Sequence, residues 1–283
     1  MMIARGLAPI LLAATLVSPA LATEPPAAKD LVQRVVAAAG GQEAFAALGV
    51  LKLDIHEEET TSEGTARTAD FTAYVDSGRL ANLRLEMAND VVLATNAGGG
   101  WASLKGKVDD RPQAPRMAAG TVREKLFPIL LPFSLAMDGI SYGEVHEGDV
   151  NGTPVWYVTV HFPNMFFTSP LMSTSWYLTV RQSDDALLSA EFLPPTQFRN
   201  VKPEGVRYRF TKTRTLGGVT LPQQMLFEGI DTAYRATNHF QVVKLATSVH
   251  GPADPALFMN PDELEKQEEG EPATAQDAGV QHP

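Results

Sequence analysis

The residues nearest to a catalytic spacing are Gly139-Ile140-Ser141-Tyr142-Gly143, which satisfy G-x-S-x-G. In a nucleophile elbow, a strand, a sharp turn and a following helix expose the serine. Here the order is reversed: a helical stretch precedes Ser141, and Tyr142 to Gly148 reads as a strand running to a turn at Asn151-Gly152. An esterase using Ser141 is therefore the weakest reading. His56-Glu57-Glu58-Glu59-Thr60 begins like the zinc-binding H-E-x-x-H but lacks the second histidine and lies in a strand pattern. His146, His161, His239, His250 and His282 are scattered, and Asp109-Asp110 and Asp184-Asp185 read as turn acids. Gly98-Gly99-Gly100 leads into Trp101 in a strand and does not open a helix, as a phosphate-binding loop must. With no cysteine, thiolate catalysis, disulfides and cysteine metal sites are excluded. These residues point to a non-enzymatic protein with no metal and no cofactor.

What remains for function is apolar and aromatic surface. The chain has 283 residues and is 44% hydrophobic, enough to build a core and too apolar for a disordered chain. A net charge of -10 argues against a nucleic-acid partner, whose phosphates are bound by Lys and Arg.

The first segment reads as an address. One positive charge at Arg5, a short apolar run from Gly6 to Val17 and Ala20-Leu21-Ala22 form a cleavable signal peptide over residues 1–22, with cleavage expected after Ala22. The run is shorter than the about 20 apolar residues that a lasting transmembrane helix needs. Export without cysteine points to the periplasm of a bacterial envelope. At the other end, residues 262–283 carry Asp262, Glu263, Glu265, Glu268, Glu269, Glu271 and Asp277 against Lys266 alone, with no aromatic residue. Such a tail buries too little surface to offset its chain entropy and is expected to be disordered past about Lys266. Residues 23–261 then form one domain, expected to be monomeric.

Within that domain the hydrophobic period changes. Leu31, Val35 and Ala38-Ala39 have helical spacing, and Gly40-Gly41 can end that helix in a left-handed conformation. A short helix over Gln42 to Leu48 follows. From Leu51 the period is two: Leu51, Leu53 and Ile55, then Phe71, Ala73 and Val75, then Leu83, Leu85 and Met87 alternate with polar neighbours. Asp76-Ser77-Gly78 reads as a hairpin turn. The second half repeats the alternation at Val155–Phe162, Thr174–Val180, Leu187–Leu193, Val206–Thr215, Val219–Glu228 and His239–Leu245. Most of these strands have no helix between them. The fold class is α+β: one strongly curved antiparallel sheet, an incomplete barrel, covered by short helices.

Two apolar segments interrupt the meander. Thr121 with Glu124 reads as a capping box opening a helical stretch to Asp138 that carries Leu126, Phe127, Leu130, Leu131 and Phe133 and is broken by Pro128 and Pro132. Phe162 to Met172 sits between strands, where loops are usually polar, and carries Met165, Phe166 and Phe167. A bent sheet has a hollow face that needs filling, and Phe-, Leu- and Met-rich pieces fill it, either as fixed core or as a displaceable cover over a hydrophobic ligand. Trp101, Trp156 and Trp176 lie in strands, with Tyr157 and Tyr177 next to the latter two and hence on the opposite face. The tryptophans are expected inside. The ligand-binding set is thus Trp101, Leu126, Phe127, Leu130, Leu131, Phe133, Trp156, Met165, Phe166, Phe167 and Trp176.

Ala38-Ala39-Gly40-Gly41 ending the first helix, Gly100-Trp101, the apolar central helix, Gly217-Gly218-Val219-Thr220-Leu221-Pro222 and Asp254-Pro255-Ala256-Leu257-Phe258 follow one another in an order that resembles the LolA/LolB-like periplasmic lipoprotein-carrier superfamily. The resemblance spans residues 28–261. It implies a curved, incomplete antiparallel barrel whose mouth is covered by helices, and a hydrophobic ligand such as a lipoprotein acyl chain, exchanged with an envelope donor or acceptor protein. The alternative is an envelope scaffold whose apolar segments dock a partner protein.

Overall fold

The computed structural model describes residues 25–60, 64, 66–164, 166–169, 172–198 and 204–268. The expected signal peptide and the tail beyond residue 268 lie outside them. Helices α1 (Ala28–Ala38) and α2 (Gln42–Ala46) precede six strands: β1 (Val50–Thr60), β2 (Ala66–Asp76), β3 (Leu83–Met87), β4 (Val91–Asn96), β5 (Gly99–Leu104) and β6 (Lys107–Val108). Helix α3 (Ala114–Leu126) follows. Then come β7 (Ser141–Val150), β8 (Thr153–His161), β9 (Ser175–Arg181), β10 (Leu187–Phe192), β11 (Gly205–Leu216), β12 (Val219–Ile230), β13 (Ala236–Gly251) and α4 (Pro261–Glu268).

All thirteen strands belong to one sheet, in the order β6-β5-β4-β3-β2-β1-β13-β12-β11-β10-β9-β8-β7, and every neighbouring pair is antiparallel. The chain therefore lays down two meanders, which join where β1 pairs with β13. The sheet does not close. Side-chain alternation gives it two unlike faces. Leu51, Leu53 and Ile55 of β1 share a face with Phe71, Ala73 and Val75 of β2, and across the junction with Leu245 and Val243 of β13. The same face continues through Met225, Tyr208, Ala190, Leu178 and Val158. All of these are buried. The opposite face carries Lys52, Asp54, His56, Asp70, Thr72 and Lys244, and is polar and ion-paired.

Glycines hold the corners together. Gly40 ends α1 at φ +113, and a Cβ there would lie 2.5 Å from the Gly218 carbonyl oxygen, so only glycine lets the helix end meet the β11–β12 hairpin. At the end of β2, the Asp76 carboxylate accepts from the amides of Gly78 and Arg79 and from the Asn82 side chain, making a longer Asx-type loop than a two-residue hairpin.

Two boundaries depart from the expected ones. Helix α3 begins at Ala114 with Pro115 in its first turn, so Thr121 is interior and caps nothing. The reason is close packing. Ala118, Ala119 and Gly120 are buried, and a Cβ at Gly100 of β5 would lie 2.1 Å from the Pro115 oxygen and 2.9 Å from Ala119 Cβ. Small residues on both elements let the helix lie on the strand backbone. The tail also starts with structure: α4 covers Pro261–Glu268, and the Asn260 side-chain oxygen accepts from the Asp262 amide.

Candidate ligand site on the hollow face

The hollow face is filled by two proline-containing pieces instead of a second sheet. After α3 the chain turns at Phe127–Pro132 into a short 3-10 turn over Phe133–Ala136, because Pro128 and Pro132 cannot donate into a continuing helix. The Phe127 carbonyl is answered by the Ser134 hydroxyl at 3.0 Å, and the Leu135 carbonyl by the Tyr142 hydroxyl at 2.8 Å. These bonds satisfy backbone groups that a helix would have satisfied internally.

Most of the sequence-predicted site residues meet here. Phe127 stands edge-on to Phe162, Phe166, Phe167 and Trp176, with centroids 5.1 to 5.8 Å apart. Phe167 and Trp176 stack at 5.6 Å, and Trp176 stacks on Phe192 at 5.1 Å. Leu126, Leu130, Leu131 and Phe133 belong to the same continuous core, as does Trp156. Phe127 and Leu130 are only 2% and 3% exposed, so the bowl is occupied by the chain's own side chains. Trp156 and Trp176 point inward, whereas Tyr177 is 39% exposed. Met165 lies outside the described residues.

Trp101 is in the wrong place for this set. It aligns with Ala94 and Arg84 across β5, β4 and β3, while Leu85, Leu93 and Ala102 face α3. Trp101 is buried on the outer face, where its indole N–H donates to the Phe258 carbonyl at 2.9 Å and the Arg84 guanidinium lies 5.8 Å from its ring. The Pro255–Phe258 turn covers it. Trp101 is removed from the ligand-facing set.

Sequence reasoning left out Phe45, which stacks on Phe133 at 4.2 Å with the rings 2° from parallel, and also Phe192 and Tyr208. Alternation in β10 and β11 was the available signal for the last two. Burial raises the Tyr208 phenol pKa above its ordinary value.

Three consecutive charged residues at the end of α3 tie the filling pieces down. Lys125 places its ammonium 3.0 and 2.9 Å from the two oxygens of Glu57, a buried carboxylate on the hollow face of β1, and lies 5.3 Å from the Phe71 ring centroid. Glu124 accepts from the Ser169 amide. Arg123 lies over the Phe166 ring, with Cζ 5.3 Å from the centroid. Gly120 is the seat of the loop, since a Cβ there would lie 1.3 Å from Thr168 Oγ1.

The chemical spacings noted in the sequence stay apart. Ser141 is exposed at the first position of β7, with no helix after it, and its cross-strand neighbour His161 hydrogen-bonds the Ser175 hydroxyl at 2.9 Å. His56 lies on the polar outer face between Asp70 at 2.7 Å and Glu58 at 3.1 Å. Among the described residues, no three His, Cys, Asp or Glu side chains form a group able to hold a metal ion. Among them, too, no helix is long and apolar enough to cross a membrane.

No protein-family profile matches the chain, and no curated protein matches it. Solved structures do. The chain is similar to a LolA superfamily protein from Nitrosomonas europaea, at 9% identity and a TM-score of 0.55 over 82% of this chain and 97% of that one. It is similar to a DUF1329 family protein from Desulfovibrio piger, at 14% identity and 0.54 over 85% and 99%. A domain assigned as an outer membrane lipoprotein-sorting protein from Vibrio parahaemolyticus aligns at 10% identity and 0.51 over 84% and 98%. At these identities the likeness is one of fold. The chain has a LolA-like fold.

Proposed function

We propose that this protein is an exported, periplasmic binding or carrier protein for a hydrophobic ligand such as an acyl chain. The observation that carries the reading is the nature of the filling: a hollow sheet face is occupied by proline-broken pieces whose aromatic rings, not backbone pairing, make the contact. The similarity in fold to a LolA superfamily protein and to a lipoprotein-sorting domain supports it, as does the signal-peptide pattern read in residues 1–22.

The energetics allow an exchange of contents. Withdrawing Phe166 and Phe167 from the bowl costs about 1.5–3 kcal/mol for each ring. A buried saturated chain returns about 0.8 kcal/mol per methylene, so roughly four to eight methylenes offset both rings. A guest of ordinary acyl length can therefore take the place of the cover, whereas a small apolar solute cannot.

The test is native mass spectrometry of the mature protein isolated from its own envelope, followed by titration with palmitate. A lipid-sized adduct at one-to-one stoichiometry supports the reading. A protein that carries no lipid and takes up neither palmitate nor a lipopeptide refutes it.

A further inference from the structure

At the mouth of the bowl, the Ser77–Ala81 loop, the Ala136–Asp138 end of the filling segment and Phe166 enclose an open cleft of about 540 Å³. Its floor is Phe166, whose ring packs at 4.9 to 5.6 Å against Phe127, Phe162 and Phe167 and so begins the aromatic stack that leads down to Trp176. Arg79 and Arg123 line it with Gln42 and Asn164, and the one acidic residue of the lining is the exposed Asp138.

Arg123 is unusual among the charges at the end of α3. Its neighbours Glu124 and Lys125 are answered by the Ser169 amide and by Glu57. Arg123 is half-buried, yet its Nε is buried without a hydrogen-bond partner and its Nη1 reaches only the Phe166 carbonyl, at 3.5 Å. Burial pulls its pKa below the ordinary guanidinium value, and no carboxylate works in the other direction. The Gln42 side-chain oxygen is likewise buried without a partner, and a carboxamide can turn to present its NH2 instead. A partly desolvated guanidinium with free N–H groups is a receptor for an oxyanion, which it can bind through two parallel hydrogen bonds.

We propose that this cleft seats the anionic head group, a carboxylate or phosphate, of an amphiphile whose hydrocarbon chain enters the bowl past Phe166. The proposal rests on the carrier reading and narrows its ligand to an acidic lipid, with Arg123 as the primary contact and Arg79 as the second.

The test is displacement of Nile red, a neutral dye, from the mature full-length chain by palmitate, by hexadecanol, which has the same chain length and no charge, and by inorganic phosphate. Palmitate is expected to bind about tenfold or more tightly than hexadecanol, as one charge-assisted contact implies. Arg123→Gln is expected to abolish that preference and Arg79→Gln to reduce it about threefold; because Arg123 also lies over Phe166, the readout is the ratio of the palmitate and hexadecanol affinities, not the hexadecanol affinity alone. Arg123→Gln loses the stacking on Phe166 and the contact to its carbonyl but no ion pair, so it should lower the melting temperature by no more than about 4 °C. Equal affinities for palmitate and hexadecanol, or a preference that survives both substitutions, overturn the proposal while leaving the carrier reading in place. Phosphate alone binding as tightly as palmitate assigns the cleft to a free anion and overturns the lipid assignment. Failure of both chain-bearing ligands to bind overturns the carrier reading and the proposal with it.

Discussion

Gly120→Ala separates a seated cover from a loose one. On helix propensity alone the change stabilises, since alanine is favoured over glycine in a helix interior by about 1 kcal/mol. The structure predicts the reverse. The new Cβ would lie 1.3 Å from Thr168 Oγ1, 2.5 Å from Thr168 Cβ and 2.9 Å from the Thr168 amide nitrogen. Rotation about χ1 relieves the first contact only; the other two are fixed to backbone, so the chain at Thr168 must move off α3. Overpacking of this kind costs about 1–3 kcal/mol, and the loop also gives up part of the Phe166 and Phe167 packing. A net loss of about 1–2 kcal/mol corresponds to a melting temperature lower by about 2–8 °C for a chain of this size. Urea unfolding should show a lower midpoint, and an apolar dye should bind more strongly to the folded variant. In a Thr168→Gly background the cost of Gly120→Ala should fall, because two of the three close contacts disappear. A melting temperature raised by Gly120→Ala would refute the claim that the loop is seated on the helix.

Lys125→Met leaves the buried Glu57 carboxylate without its cation and is expected to cost about 1–3 kcal/mol in chemical denaturation, toward the lower end because Lys125 is itself 39% exposed. Trp101→Phe removes the bond to the Phe258 carbonyl and should cost about 1 kcal/mol while leaving lipid affinity unchanged. Hydrogen bonding to Asp70, with a smaller contribution from Glu58, raises the His56 pKa above its ordinary 6.5. Stability from these contacts is therefore fully present below that unfolded-state value and lost as pH rises through the folded one. His56→Gln should thus lower the melting temperature at about pH 5.5 and leave it almost unchanged at about pH 9, and NMR titration of the imidazole should give a midpoint above 6.5.

The sheet was legible because alternation survives in single strands: Trp156 and Tyr157, and Trp176 and Tyr177, fall on opposite faces from sequence alone. Alternation does not say which face is inside. The Arg84, Ala94, Trp101 face and the Leu85, Leu93, Ala102 face differ too little in hydrophobicity, and what decides between them is the Pro255–Phe258 turn, more than 150 residues from Trp101 in the chain. The start of α3 was hidden for a related reason. Ala118, Ala119 and Gly120 carry almost no hydrophobic signal, yet they pack because Gly100 and Thr168 come close to them. Glu124 imitated a capping residue while serving a loop amide. The pairing of Arg79 with Arg123 across one cleft has no local spacing to betray it.

The central claim is that a guest chain replaces the aromatic filling beneath α3. Bromine atoms on an acyl chain quench tryptophan only at close range, and the chain supplies its own control, since Trp176 lies inside the bowl and Trp101 on the opposite face of the sheet. Variants retaining a single tryptophan can therefore be titrated with a dibrominated fatty acid. Saturable quenching of Trp176 with Trp101 unaffected is the predicted result. An unquenched Trp176, or equal quenching of both, would contradict the account.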